Sequence, residues 1–145
     1  MQRWLQLLLY TNPSGNRVVS PLLQLAASRG RLMELLAGKL HPGRSDFEDM
    51  AFMTGIMSLM PTLMSVSLEE ILRGIEIPGS VREALEVRNG ELGTMLKLTE
   101  ALEAGDGPTC SAITQQLPGF DATTINTCLA QALAWANNIG RENDA

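Results

Sequence analysis

The chain is 145 residues long, 45% apolar, and carries a formal charge of −5. That is enough chain for one domain with a sizeable core, and the acidic balance argues against a bulk nucleic-acid binder. Aromatic residues make up only 4%, so leucine, methionine, alanine and isoleucine must fill the core, a composition that favours helices over sheet.

In chain order, the first expected element is a helix around Trp4, Leu5, Leu7, Leu8 and Leu9, whose apolar side chains cover most of the circumference and leave Arg3, Gln6 and Tyr10 as a polar strip. Such a helix needs cover on two sides, supplied by preceding residues of a longer protein or by a second copy. The run WLQLLLY is interrupted by Gln6 and lacks a cleavage site, so it does not read as a secretory signal. No run reaches the ~20 apolar residues of a membrane span, and a cytoplasmic protein without membrane contact is expected. Thr11 to Val19, TNPSGNRVV, is rich in turn residues and reads as a mobile loop.

Ser20-Pro21 places an N-cap and a first-turn proline at the start of a helix to about Leu40, with Leu23, Ala26, Gly30, Met33, Ala37 and Leu40 as its apolar stripe. His41-Pro42-Gly43 ends it. Ser45-x-x-Glu48, Ser67-x-x-Glu70 and Ser80-x-x-Glu83 read as capping boxes, with Gly74 and Gly90 as C-terminal stops. A helix from about Glu91 to Ala104 stops at Gly105. A short one near Thr109 to Gln116 is broken by Pro118-Gly119, and Asp121 caps a last helix to about Ile139. The sum is an all-α bundle of about seven or eight helices and no convincing strand.

The stretch AFMTGIMSLMPTL, Ala51 to Leu63, carries three stripes: Met50, Met53, Met57, Met60 and Met64; Phe52, Ile56, Leu59 and Leu63; and the small residues Ala51, Gly55, Ser58 and Thr62. A helix apolar or small nearly all round is buried, so this is the expected central helix, closely approached on its small face and ended or kinked at Pro61. The methionines read as core. In the last helix Ile125, Cys128, Leu129, Ala132, Trp135, Ala136 and Ile139 face inward, and Thr124, Thr127, Gln131 and Asn138 are wet.

Charge is uneven. Arg17, Arg29, Arg31, Lys39 and Arg44 stand against Glu34 alone at one end, and acids dominate from Asp46 to Asp106. The basic run reads as solvated helix surface in preference to a face for a nucleotide or an acidic partner. Cys110 and Cys128 lack CxxC spacing and a nearby histidine, which points to free thiols.

Enzyme templates fail on residue supply. His41 is the only histidine, in a helix-ending turn, so a multi-histidine metal site or a Ser-His-Asp triad has no material. No Walker or dinucleotide glycine pattern, GxSxG elbow or EF-hand spacing occurs. Glu69-Glu70 and Asp46/Asp49 lie in first helical turns, where negative charge complements the helix dipole. No catalytic, cofactor-binding or metal-binding residue is assigned, and no cofactor is expected.

AFMTGIMSLMPTLMSVSLEEIL resembles the central helix and following amphipathic helix of HDOD domains, the non-catalytic relatives of HD phosphohydrolases. RWLQLLLY, LLQLAASRGRLMELLAGKL, IPGSVREALEVRNGELGTMLKLTEALE and QALAWANNIG are similar to successive blocks of the HDOD region of bacterial EAL–HDOD signalling proteins. The resemblance covers nearly all 145 residues but only the later part of such a domain. It implies a single HD-like helical domain over 1–145, with upstream helices and an EAL domain absent. It also implies that the catalytic relatives' His-Asp pair falls on Ser58 and Leu59, with an upstream histidine near Leu25. None of these three is a ligand, so the implied role is a non-enzymatic regulatory module of a cyclic di-GMP-type signalling protein, working through protein contacts. The implied partners are another protein, the upstream EAL domain, or a second copy met through the first helix at Trp4, Leu5, Leu8 and Leu9. The alternatives are a small-molecule or nucleotide sensor, with room beside Gly30, Gly55 and Ser58, and a degenerate metal-dependent phosphohydrolase.

Overall fold

The structure is a computed structural model describing residues 21–117 and 119–142, with side chains described for 22–117 and 119–138. The first expected helix, including Trp4, Leu5, Leu8 and Leu9, and the loop Thr11 to Val19 lie outside the described residues. Among the described residues there are eight helices and no strand: α1 (Pro21–Leu40), α2 (Ser45–Met57), α3 (Met60–Met64), α4 (Leu68–Arg73), α5 (Gly79–Val87), α6 (Gly90–Ala104), α7 (Gly107–Gln116) and α8 (Ala122–Glu142). The all-α helical bundle is as the sequence implies, and the described residues alone hold eight helices because the expected central helix is split at Pro61 into α2 and α3.

The hub of the bundle is α1. It packs on α2, α8, α6 and α3, and nearly every residue from Ala26 to Ala37 is buried. The expected centre, α2, is deeply buried along Ala51, Phe52, Thr54, Gly55, Ile56 and Met57, but Met50 and Met53 are only half-buried. The difference arises because α1 must fill two interfaces at once. α2 lies antiparallel on it, with Gly55 against Gly30 and Glu48 against Gly38. On another side α8 also runs antiparallel, with Trp135 beside Arg31 and Cys128 near Lys39.

The α1–α2 crossing is a backbone contact. A Cβ on Gly55 would stand 2.6 Å from the Gly30 Cα, and one on Gly30 would stand 2.8 Å from Ile56 Cγ1. The small stripe Ala51/Gly55/Ser58 therefore does what small residues permit, and α1 is the helix that approaches. A second hairpin, α5–α6, folds back through Arg88 in the left-handed conformation (φ 56). Arg88 ties its own turn down by donating to the Ala84 and Leu85 carbonyls and to the Glu100 carboxylate.

Pro61 acts as expected. It has no N–H and would crowd the carbonyl of Met57, four residues back; α2 ends at Met57, and α3 begins at Met60 with Pro61 in its first turn. Three boundary signals act differently. Ser67 accepts from the Glu70 N–H, as a cap should, but Ser45 is already helical, behind Arg44, with no side-chain cap. α5 starts at Gly79, behind Pro78, so Ser80 lies inside the helix and its hydroxyl points at Met50 Sδ. Gly90 opens α6, because Arg88 has already ended α5. Asp106 and Asp121 cap α7 and α8 through the N–H groups of Thr109 and Thr124.

The main core joins α1, α2, α5, α6, α7 and α8 around Met33, Leu36, Met57, Met95, Leu96 and Cys128. A smaller cluster, Leu23, Phe52 and Ile56, is flanked by Met60, Leu63 and Trp135. The segment Met60–Ile77 is peripheral: of its apolar residues only Leu72 is buried.

Candidate functional site: an ion pair beside Ser58

The break between α2 and α3 exposes helix-end groups, and Ser58 occupies it. Its Oγ donates to the Gly55 carbonyl at 2.6 Å. The same Oγ accepts from Arg29 Nη1 at 2.8 Å. Arg29 reaches this point because the Gly30–Gly55 contact draws α1 against the end of α2. The other edge of its guanidinium grips Glu103, in the last turn of α6: Nε donates to Oε2 at 2.9 Å and Nη2 to Oε1. One cation thus ties three elements with a bidentate fork, the geometry for which arginine is suited.

Arg29 is 7% exposed, so it is not part of a solvated basic face, and the reading of the Arg17–Arg44 run as helix surface is corrected here. Arg31 departs from it too. It pairs with Glu34 and lies over the Trp135 ring, 5.5 Å from its centroid, while its Nε is buried without a hydrogen-bond partner among the described residues. Glu34 is 4% exposed; burial pushes its carboxyl up, with Arg31 opposing and Glu48 and Asp49 adding to the rise. A sequence signal for Arg29 existed. It falls in the register Leu22, Ala26, Arg29, Met33, Leu36, a position otherwise apolar.

The three positions that the resemblance matched to ligands are now placed. Ser58 is held by Arg29. Leu59, beside it, is buried. Leu25 lies one turn before Arg29 on the same helix face and is 36% exposed. Hydroxyl and hydrocarbon flank a guanidinium there. His41 is elsewhere, just past the end of α1 and twelve residues on from Arg29, so about 18 Å away; its Nε2 lies 2.7 Å from a Glu91 carboxylate oxygen, joining the end of α1 to the start of α6. Among the described residues no three His, Cys, Asp or Glu side chains lie together as a metal ion would need. The room expected beside Gly30 and Gly55 is filled by the two helix backbones.

An open groove of about 540 Å³ between α6, α7 and α8 is lined by Leu102, Gly105, Cys110, Thr114, Ile125 and Asn126, without a charged side chain. Cys110 and Cys128 are both free. Burial pushes both thiols up, with Asp106 adding to the effect at Cys110, so neither is an activated nucleophile. No described helix is long and apolar enough to cross a membrane.

No protein-family model matches the chain, and no solved structure matches it. Two curated proteins do. The cyclic di-GMP phosphodiesterase CdgJ of Vibrio cholerae is 29% identical over 120 residues, which is 83% of this chain and 27% of CdgJ. The uncharacterised protein YuxH of Bacillus subtilis is 28% identical over 142 residues, 96% of this chain and 33% of YuxH. The chain spans about a third or less of the length of these relatives. It is a distant relative, over most of its own length, of a protein named for cyclic di-GMP phosphodiesterase activity.

Proposed function

We propose that the chain is a catalytically silent regulatory module of the HDOD type, acting through protein contacts within a cytoplasmic, cyclic di-GMP-type signalling protein. The observation that carries this reading is the Arg29 guanidinium between Ser58 and Glu103. A site meant to hold a metal cation needs anionic or imidazole donors facing an open position. Here a fixed organic cation stands beside Ser58 and consumes the nearest carboxylate. The relative's name supports the signalling context. Its matched portion is only 27% of that protein, so the activity in that name is not carried over to this chain.

The test is hydrolysis of cyclic di-GMP by the purified chain with added Mg²⁺ or Mn²⁺, alongside elemental analysis. The expected result is no turnover and no stoichiometric Mn, Fe, Ni or Zn. Turnover that depends on a stoichiometric metal would overturn the reading in favour of an enzyme. A rise in melting temperature with cyclic di-GMP, without turnover, would replace the contact module by a sensor.

A further inference from the structure

We propose that the arm Met60–Ile77 is a docking surface for a basic amphipathic helix, laid across Leu63, Met64 and Val66 with its cationic residues against Glu70 and Glu76. The inference deepens the reading of the chain as a contact module and rests on it.

Two observations carry it. The arm is richly apolar but poorly covered: α3 buries none of its residues, Met64 is 47% exposed, and Leu63 and Val66 are half-buried. Ser65, in the left-handed conformation, ends α3 and turns the chain towards α4. Methionine at such a place is a flexible, polarizable contact that adapts to different side chains. The second observation is charge. Exposed Glu69, Glu70 and Glu76 accompany this surface. Arg73 neutralises Glu69, and the carboxylates of Glu70 and Glu76 have no ion-pair partner among the described residues.

Those features select the occupant. No strand occurs among the described residues, so an extended peptide has no sheet edge to join, and the exposed apolar side chains suit the apolar face of a helix. The uncompensated carboxylates ask for lysine or arginine beside those anchors.

The experiment titrates the whole chain with a synthetic amphipathic helix bearing a leucine stripe and a lysine face. Calorimetry gives the affinity, and methyl NMR of the methionines gives the place. The expected result is saturable binding that weakens as salt is raised, with the Met60 and Met64 methyls shifting most. Met64→Asp, and separately Glu70→Lys with Glu76→Lys, each lower affinity by about tenfold or more while circular dichroism is unchanged. Absence of binding, equal binding of the same peptide with glutamate in place of lysine, or shifts confined to α8 overturn the proposal. Self-association in sedimentation that Met64→Asp abolishes gives the surface to a second copy instead. Turnover in the hydrolysis assay would sink the catalytic silence and leave peptide binding standing, so the two failures are separable.

Discussion

At the scale of single residues, the Arg29–Glu103 pair is asymmetric, and that makes it testable. Arg29 is buried, whereas the Glu103 side chain keeps 24% of its surface in water. Glu103→Ala strands a buried cation, at a cost of about 3 kcal/mol. Arg29→Met replaces the stem with hydrocarbon and lets Glu103 turn to solvent, so it costs less, and adding Glu103→Ala to Arg29→Met costs little more. Urea unfolding of the two single variants and the double gives the comparison; equal losses in the two singles would rule out the asymmetry. Glu34 has the opposite sign. Its folded carboxyl stays protonated above its ordinary value of 4.5 because burial penalises the anion. The stabilisation is therefore complete below the unfolded value and is lost as pH rises through the elevated folded value. Asp106 and Asp121 act the other way, since hydrogen bonds from Thr109 and Thr124 hold their carboxyls below the usual range. Glu34→Gln keeps an oxygen for Arg31 and removes the titration, so subtracting the variant's urea midpoints from the wild type's isolates Glu34. The difference should move against the wild type as pH rises above the ordinary carboxylate value of 4.5; a constant difference would refute it. Arg29's partner was not legible in the sequence, although its place in an apolar register was, whereas Arg31 and Glu34 stand at the local i,i+3 spacing. A charge in that register announces a buried partner, and only the fold can bring Glu103 from 74 positions away.

At the scale of elements, what reads well from sequence is whatever depends on local chemistry with one outcome. Pro61 breaks a helix whatever surrounds it, and Asp121 caps because the chain before it offers no competing start; the cap at Asp106, which starts α7 at Gly107 and not near Thr109, was not read from the sequence. Ser-x-x-Glu is a local signal with several outcomes. Ser67 realises the cap. At Ser45 the helix begins a residue early and the Glu48 carboxylate lies against Gly38 instead, while the Pro78-Gly79 lead-in takes the start of α5 away from Ser80. The small stripe on α2 was legible as a close-approach face; its partner, Gly30, was not. That contact separates two glycines of similar propensity. Gly55→Ala pushes a methyl to 2.6 Å from Gly30 Cα, against backbone that cannot swing aside, and should cost about 3 kcal/mol. Gly38→Ala meets only the end of the Glu48 side chain, which can rotate away, so helix propensity decides and the change is neutral or stabilising by up to about 1 kcal/mol. Thermal unfolding of both variants checks the pair, and a Gly55→Ala protein as stable as wild type would mean that the helices do not touch there.

At the scale of the whole molecule, burial divides the bundle into a tight body and a thin arm. α1 is covered by α2, α8, α6 and α3, and its residues from Ala26 to Ala37 lose their contacts only if those neighbours leave. The arm Met60–Ile77 hangs on Leu72 and on half-buried side chains, and α3 has one and a half turns of helix, too short to be stable by itself. Regions with few buried apolar contacts open locally, at free energies far below that of global unfolding. Native-state hydrogen exchange should therefore sort the amides into two classes. Those of α3 and α4 should exchange first, with little dependence on added denaturant because a local opening exposes little new surface. Those of Leu32 to Leu36 should exchange last, with a denaturant slope matching global unfolding. The lysine-faced helix, if it docks on the arm, binds the closed form and slows the first class alone. Exchange of arm and hub amides along one common curve would mean that the arm is as well held as α1, and the surface assigned to a partner would then already be structural.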